Sequence, residues 1–109
     1  MVELTRKEEQ ILLAVHFLST NAFLNTIRER IKQYAGKNYS LGTIYVPLNR
    51  LDMKGYLESH LKKVKSSNKP VRYYKVSPEG YEALADLKTS TEKMWQGFVQ
   101  PTLKEEENR

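Results

Sequence analysis

The sequence predicts a mainly α-helical domain that carries one small β-hairpin, and three observations support this fold class. The chain has 109 residues, of which 39% are hydrophobic and 28% charged, values typical of one folded domain. Apolar residues recur at helical spacing in four segments. Alternation with a period of two, the pattern of a half-buried strand, occurs between residues 56 and 76. The helices therefore surround a single hairpin in the chain order.

The first helix is predicted at about residues 5–18. Thr5 stands three residues before Glu8, the spacing of an N-terminal capping box. The second half of the helix, residues 11–18, is apolar on nearly every side. We therefore expect the helix to be covered on two sides. The core of the domain covers one side, and a second subunit is the candidate for the other.

A polar break at residues 19–21 offers N-cap chemistry for the second helix. Ile27, Ile31 and Tyr34 then recur at helical spacing, and the helix is expected to end near Ala35. Gly36 suits the left-handed residue that follows a helix.

The third helix is predicted at about residues 41–54, with Ser40 as its N-cap. Its inner stripe is Ile44, Leu48 and Leu51. Its outer face is Thr43, Val46, Asn49, Arg50 and Met53. Pro47 removes one backbone hydrogen bond and is expected to bend the helix without ending it.

The hairpin consists of a strand that begins near Leu57, a polar and basic loop over residues 62–70, and a second strand over residues 71–76. Ser77, Pro78 and Glu79 then start the fourth helix, since a capping serine, a first-turn proline and a first-turn acid coincide there. This helix is expected to reach about residue 99. It carries a heptad seam: Leu84, Leu87, Thr91, Met94 and Phe98.

The net charge of +5 is unevenly distributed along the chain. Residues 28–75 contain twelve basic and three acidic residues, whereas the segments before and after them are both net negative. A localised positive charge of this kind favours binding to nucleic acid phosphates. A solvated basic face is the alternative explanation.

Other classes of function find little support. The chain has no cysteine and two isolated histidines, His16 and His60, so we expect neither a metal site nor a cofactor. It has no phosphate-binding glycine loop, nucleophile elbow or paired carboxylates, and we do not expect an enzyme. Without a long apolar segment or a signal-peptide pattern, a cytoplasmic protein with no membrane partner is expected.

Three helices, a hairpin with a basic tip and a further helix follow the order of a winged helix-turn-helix. The residues of the third helix, Leu41-Gly42-Thr43-Ile44-Tyr45-Val46-Pro47-Leu48-Asn49-Arg50-Leu51, resemble the recognition-helix signature of the PadR-like transcriptional regulators. Residues 54–58 and 72–80 resemble the first wing strand and the second wing strand with the start of the last helix. Asn68 and Ala22-Phe23 depart from the family pattern, which often has glycine and Tyr-Gly there.

The resemblance implies a winged helix-turn-helix DNA-binding domain over residues 4–77, a C-terminal dimerisation helix over 78–100 and a flexible tail over 101–109. A single C-terminal helix resembles the short branch of the family. We expect the protein to be a DNA-binding transcriptional regulator, a repressor, that binds a near-palindromic operator as a homodimer. The alternative is a small-molecule-binding or protein-interaction module that lacks specific DNA binding.

Ten residues are candidates for contacts with double-stranded DNA, because hydroxyls and cations suit phosphates while Asn and Arg can contact base edges in pairs of hydrogen bonds. They are Ser40, Thr43, Tyr45, Asn49 and Arg50 on the helix, and Lys62, Lys63, Lys65, Lys69 and Arg72 on the wing. Three of them have structural alternatives: Ser40 as a plain N-cap, Tyr45 as a core residue, and Arg50 in an ion pair with Glu29 or Asp52.

Seven residues are candidates for a dimer or effector surface: Val15, Leu84, Leu87, Thr91, Met94, Trp95 and Phe98. Packing across a dimer seam is one interpretation. The other is a site for a flat aromatic effector, because some PadR-like relatives sense drug-like or phenolic compounds and one branch stacks ligands on a tryptophan of the last helix.

Overall fold

The computed structural model describes residues 3–65 and 68–102, and it confirms the expected fold class. Its described part contains four helices, α1 (Arg6–Leu18), α2 (Leu24–Ala35), α3 (Leu41–Met53) and α4 (Pro78–Trp95), and two strands, β1 (Leu57–Lys62) and β2 (Val71–Val76). The strands pair antiparallel, with Leu57 opposite Val76 and Lys62 opposite Val71. Most of the tail expected at 101–109, and Ser66 and Ser67 of the wing loop, lie outside the described residues.

The N-terminus of α1 is held by the expected capping box. The Glu8 amide donates to Thr5 Oγ1 at 3.1 Å, and the Thr5 amide donates to Glu8 Oε1 at 2.9 Å. Glu8 is 3% exposed, so these bonds also satisfy a buried carboxylate. The cap fixes where α1 starts and thus which of its faces meets the core.

The start of α2 differs from the expectation. Ser19–Asn21 form a separate 3-10 turn, and the N-cap position is taken by Phe23, whose amide donates to Thr26 Oγ1 at 2.9 Å. The reason is a long-range pairing: the Tyr74 amide of β2 donates to the Ala22 carbonyl at 2.9 Å, and Phe23 forms a β-bridge with Tyr73. This pairing keeps the chain extended until Leu24.

The core joins α1, α2, α3 and the hairpin around side chains that are almost completely buried: Ile11, Leu12, Val15, Ile27, Ile44, Leu48, Leu51 and Leu57. The inner stripe predicted for α3 is thereby confirmed. Tyr34, which shares the helical spacing of Ile27 and Ile31, is 67% exposed instead, and the Arg30 guanidinium packs on its ring at 3.9 Å. Leu61, near the outer end of β1, is also exposed.

Helix α4 starts as predicted but ends earlier. The Ser77 hydroxyl accepts from the Gly80 amide at 3.0 Å, and Pro78 is the first helical residue. The expected end near residue 99 is wrong, because Gly97 has a left-handed φ of 80° and the helix ends at Trp95. Phe98 therefore does not continue a helical seam.

The first turn of α4 is fixed to the end of α3 and the start of β1. Ser77 is 2% exposed, its hydroxyl donates to the Gly55 carbonyl at 2.5 Å, and its amide donates to the Tyr56 carbonyl at 3.1 Å. Gly80 lies against the same Tyr56 carbonyl, and a Cβ there would overlap it. Glycine is required at this position by the close approach of two backbone segments.

Candidate nucleic-acid interface

The exposed face of α3 begins at Ser40, whose role as an N-cap is confirmed. Its Oγ accepts from the Thr43 amide at 3.2 Å and lies 2.8 Å from Thr43 Oγ1. Both hydroxyls remain at the surface of the first helical turn. The pair can thus hold the helix start and still offer oxygen atoms to a phosphate or a water that bridges to one.

Asn49 and Arg50 lie on the outer stripe of α3. Asn49 Nδ2 donates to the sulfur of Met53 at 3.8 Å, and because sulfur is a weak acceptor the amide can bind a stronger partner. Within residues 3–65 and 68–102, Arg50 forms no ion pair with Glu29 or Asp52: Glu29 pairs with Arg28 at 3.6 Å, and Asp52 accepts from Ser59 Oγ at 2.6 Å. The guanidinium is therefore free to bind an external acceptor.

Tyr45 is exposed and is not a core residue. Its side chain is 52% accessible on the surface of α3. The phenol also lies close enough to Tyr74 to act on its pKa electrostatically. Tyr45 thus stands at the border between α3 and the hairpin.

The wing presents its cations to solvent. Lys62, Lys63, Lys65, Lys69 and Arg72 are all exposed. Lys62 Nζ lies 5.6 Å from the centroid of the Tyr73 ring, which also stacks with His60. The lysine ammonium groups, on flexible stems, suit contacts with phosphates better than contacts with particular bases.

A hydrogen-bond relay joins α3 to both strands of the hairpin. Arg72 Nη1 on β2 donates to Ser59 Oγ on β1 at 2.9 Å, and Ser59 Oγ donates to Asp52 Oδ2 on α3 at 2.6 Å. Burial raises the pKa of the adjacent Tyr74 phenol above 10.0; the Arg72 charge opposes this effect and the Asp52 charge adds to it. The relay holds the hairpin against α3.

Six of the seven residues expected at the second candidate surface lie on α4 or just after it, and Val15 lies on α1. Val15 is 1% exposed and belongs to the chain's own core, so the expectation that it presents a surface is wrong in this structure. Leu84 and Leu87 are half-buried and Thr91 is exposed. Met94, Trp95 and Phe98 are 85%, 61% and 59% exposed, and the Trp95 and Phe98 rings meet edge to face at 5.1 Å.

A groove of about 530 Å³ runs between α1 and α4, and none of the α1 residues that line it was predicted from the sequence as a site residue. Leu13 and Phe17 line it from α1, and Tyr81 and Leu84 line it from α4. His16 Nδ1 lies 2.9 Å from the Tyr81 hydroxyl and connects the two helices. The sequence indicates this groove through the apolar residues on nearly every side of α1, because Leu13 and Phe17 are apolar but face away from the core.

Among the described residues, no helix combines the length and the hydropathy that a membrane crossing requires. In the same part of the chain, no three side chains of the metal-binding types lie together.

Comparisons with known proteins identify similar families and structures. The family model described as "Transcriptional regulator PadR-like family" matches residues 18–86. No curated protein sequence matches this chain.

Among solved structures, a PadR-like transcription factor from Bacteroides fragilis aligns with a TM-score of 0.71 at 27% identity, over 82% of this chain and 85% of that one. A PadR family regulator from Clostridium difficile gives 0.68 at 19%, over 83% and 90%. Bacillus subtilis PadR in complex with operator DNA gives 0.60 at 18%, over 87% of this chain and 49% of that one.

Proposed function

Because this chain belongs to the PadR-like family of transcriptional regulators, we propose that it binds a specific sequence of double-stranded DNA and represses transcription. The observation that carries the proposal is the relay from Asp52 through Ser59 to Arg72, which joins α3, the helix that carries the exposed stripe, to the lysine-bearing hairpin. The helix is suited to enter a major groove and the wing to contact flanking phosphates. The solved complex of Bacillus subtilis PadR with operator DNA supports this use of the fold.

Each DNA-contacting residue has a proposed role. Asn49 and Arg50 contact base edges, because amide and guanidinium groups form paired hydrogen bonds with adenine and guanine. Ser40, Thr43 and Tyr45 contact phosphates beside the recognition helix. The wing residues position the duplex with little sequence preference: Lys62, Lys63, Lys65, Lys69 and Arg72.

The proposed regulator is a homodimer with residues 4–77 as its DNA-binding part and residues 78–100 as its dimerisation part. Support comes from the far half of α4 and the residues after it, because every residue from Lys88 to Thr102 is exposed in the single chain. Met94 and Trp95 on this segment are large apolar side chains that a second subunit can cover. A twofold dimer would place two recognition helices about 34–36 Å apart on a near-palindromic operator.

The test of the main proposal is selection of bound fragments from sheared genomic DNA, followed by titration of the enriched sequence at several salt concentrations. We expect a near-palindromic motif and an affinity that falls steeply with salt, because the basic wing displaces counterions from phosphates. A scrambled duplex of equal length and composition is the control. Enrichment without any motif would contradict the proposal and favour the alternative module without specific DNA binding.

We also propose that a small aromatic effector releases the protein from DNA by binding near Trp95. The support is the groove between α1 and α4, with Trp95 and Phe98 exposed beyond its end. Trp95 is the single tryptophan of the chain, so its fluorescence reports on this region alone. We expect quenching by planar aromatic compounds that also lower operator affinity; a flat titration across a broad panel would leave Trp95 a purely packing role.

A further inference from the structure

Helix α3 exposes a valine that contributes little to the fold. Val46 is 56% exposed at the middle of the helix, three and four residues before Asn49 and Arg50 on the same stripe. A β-branched residue is slightly unfavourable in a helix, and an exposed one recovers little of that cost by burial. The side chain is thus available to a ligand of the helix.

The surface around Val46 is open toward the start of α3. Side chains on a helix lean toward its N-terminus, so Val46 leans over Gly42, one turn earlier. A Cβ added at Gly42 would meet no atom within 4 Å, so no other part of the described chain fills the space above that turn. Thr43 and Pro47 complete a depression of about 380 Å³ around the two residues.

The rim of this depression carries positive charge. Lys7 from the first turn of α1 and Arg50 from α3 both line it. An apolar floor with cations beside it suits a ligand that has a small apolar group close to anionic groups. A base edge in a DNA groove, with phosphates on either side, has these properties.

In the major groove, the apolar group on a base edge is the C5-methyl of thymine, and small apolar side chains recognise it by contact. We propose that Val46 is a specificity-determining residue that contacts the C5-methyl group of a thymine in each half-site of the operator. The inference rests on the proposed function, which it deepens by naming a base. Asn49 and Arg50 supply hydrogen bonds to neighbouring base pairs, whereas Val46 selects a methyl group that neither of them can recognise.

The test is a double-mutant cycle between the protein and the DNA. In the enriched operator, each thymine of one half-site is replaced in turn by deoxyuridine, which lacks only the methyl group. Burial of one methyl group implies about a fourfold loss of affinity at the contacted position. Val46→Ala changes both subunits of the proposed dimer, so it should weaken the unmodified operator by about the square of that factor, about 16-fold. The deoxyuridine duplex should then bind Val46→Ala as well as the thymine duplex does.

Two controls keep the outcome specific. Met53→Ala alters an exposed apolar residue at the far end of the same stripe, and we expect it to retain the full deoxyuridine effect at the Val46 position. The unfolding temperature of Val46→Ala should equal or slightly exceed that of the wild type, because the valine is not part of the core and alanine is the better helix former.

Each outcome decides between the proposals. A defined motif with no deoxyuridine effect at any thymine, or with effects that add to that of Val46→Ala, overturns the inference and leaves the proposed function intact. Absence of any motif overturns both. A coupled loss at one thymine per half-site supports both.

Discussion

Arg50 and Lys65 carry the same charge, but the proposed complex uses them for different contacts. Arg50 lies on the recognition helix without an intramolecular ion pair among the described residues, whereas Lys65 is exposed on the wing. We expect Arg50→Ala to weaken operator binding by more than about 1 kcal/mol and to relax sequence preference. Lys65→Ala should weaken operator and random duplexes equally and reduce the salt slope by about 1.

Fluorescence anisotropy titrations of both variants on operator and random DNA, at three salt concentrations, measure these effects. If both variants bind both duplexes with unchanged affinity, the assignment of Arg50 and Lys65 to DNA contacts is wrong.

Gly80 and Gly42 form a matched pair of helical glycines with opposite surroundings. A Cβ at Gly80 would overlap the Tyr56 carbonyl and lie 2.8 Å from Val76 Cγ1, whereas one at Gly42 meets nothing within 4 Å. We expect Gly80→Ala to lower the free energy of unfolding by about 1–3 kcal/mol, since the two backbones must separate. Gly42→Ala should raise it by about 0.5 kcal/mol. Urea unfolding measures both, and equal effects would contradict the close approach at Gly80.

We expect Tyr74 to make the stability of the fold depend on pH in the alkaline range. Burial raises the pKa of its phenol above 10.0, with Asp52 adding to the shift and Arg72 opposing it. The unfolded chain loses this proton at a lower pH than the folded chain does. Neutral Tyr74 therefore contributes in full to the free energy of unfolding below the pKa of Tyr74 in the unfolded chain. This contribution is lost as the pH rises through the pKa of Tyr74 in the folded chain.

Tyr74→Phe should flatten the decline of stability between about pH 9 and pH 11. Urea unfolding across this range provides the measurement. Tyr34→Phe is the control, because Tyr34 is 67% exposed. If both variants decline as the wild type does, Tyr74 does not control the alkaline limit.

Among the elements, the contact between α3 and the hairpin depends on one hydroxyl. Ser59 accepts from Arg72 and donates to Asp52, and its removal leaves both charged groups without that partner. We expect Ser59→Ala to cost about 1 kcal/mol of stability and to speed amide hydrogen exchange in β1 and β2. Ser90→Ala removes an exposed bond to the Leu87 carbonyl within α4 and serves as the control. Equal exchange rates in the two variants would show that the relay does not hold the hairpin.

The elements whose starts depend on nearby residues were predictable from the sequence. The capping residues Thr5 and Ser77 lie within one turn of the amides that they cap, and Glu8 and Pro78 lie in the same turns. Spacing alone therefore located the starts of α1 and α4. The start of α2 was not predictable, because Ala22 pairs with Tyr74, 52 positions later in the chain. Local spacing contains no information about such a pairing.

The candidate site was predictable to a similar extent. Helical periodicity placed Asn49 and Arg50 on the outer face of α3, where the structure has them. Whether Arg50 pairs with Asp52 depends on Ser59, which occupies that carboxylate from another element. Val15 shows the same limit, since spacing identified an apolar helix but not which of its apolar faces lies in the core.

At the scale of the whole molecule, the far half of α4 predicts a dimer. Trp95 is 61% exposed beside Phe98, and a buried tryptophan at a subunit interface often contributes strongly to binding. Trp95→Glu should raise the dimer dissociation constant by about 30-fold, which is about 2 kcal/mol. Sedimentation equilibrium measures it, with Tyr34→Glu as the exposed aromatic control on α2. A wild-type chain that sediments as a monomer at high concentration would contradict the dimer.

The attachment of Ser77 and Gly80 to residues 55–56 couples α4 to the end of α3, so that the two helices move together. The 18 residues of α4 span about 27 Å, so a rotation of this unit by about 5° about the far end of α4 moves the base of the helix by about 2 Å. A molecule wedged near Trp95 would change the distance between the two recognition helices without touching either of them, and the chain would need no internal hinge to transmit the signal.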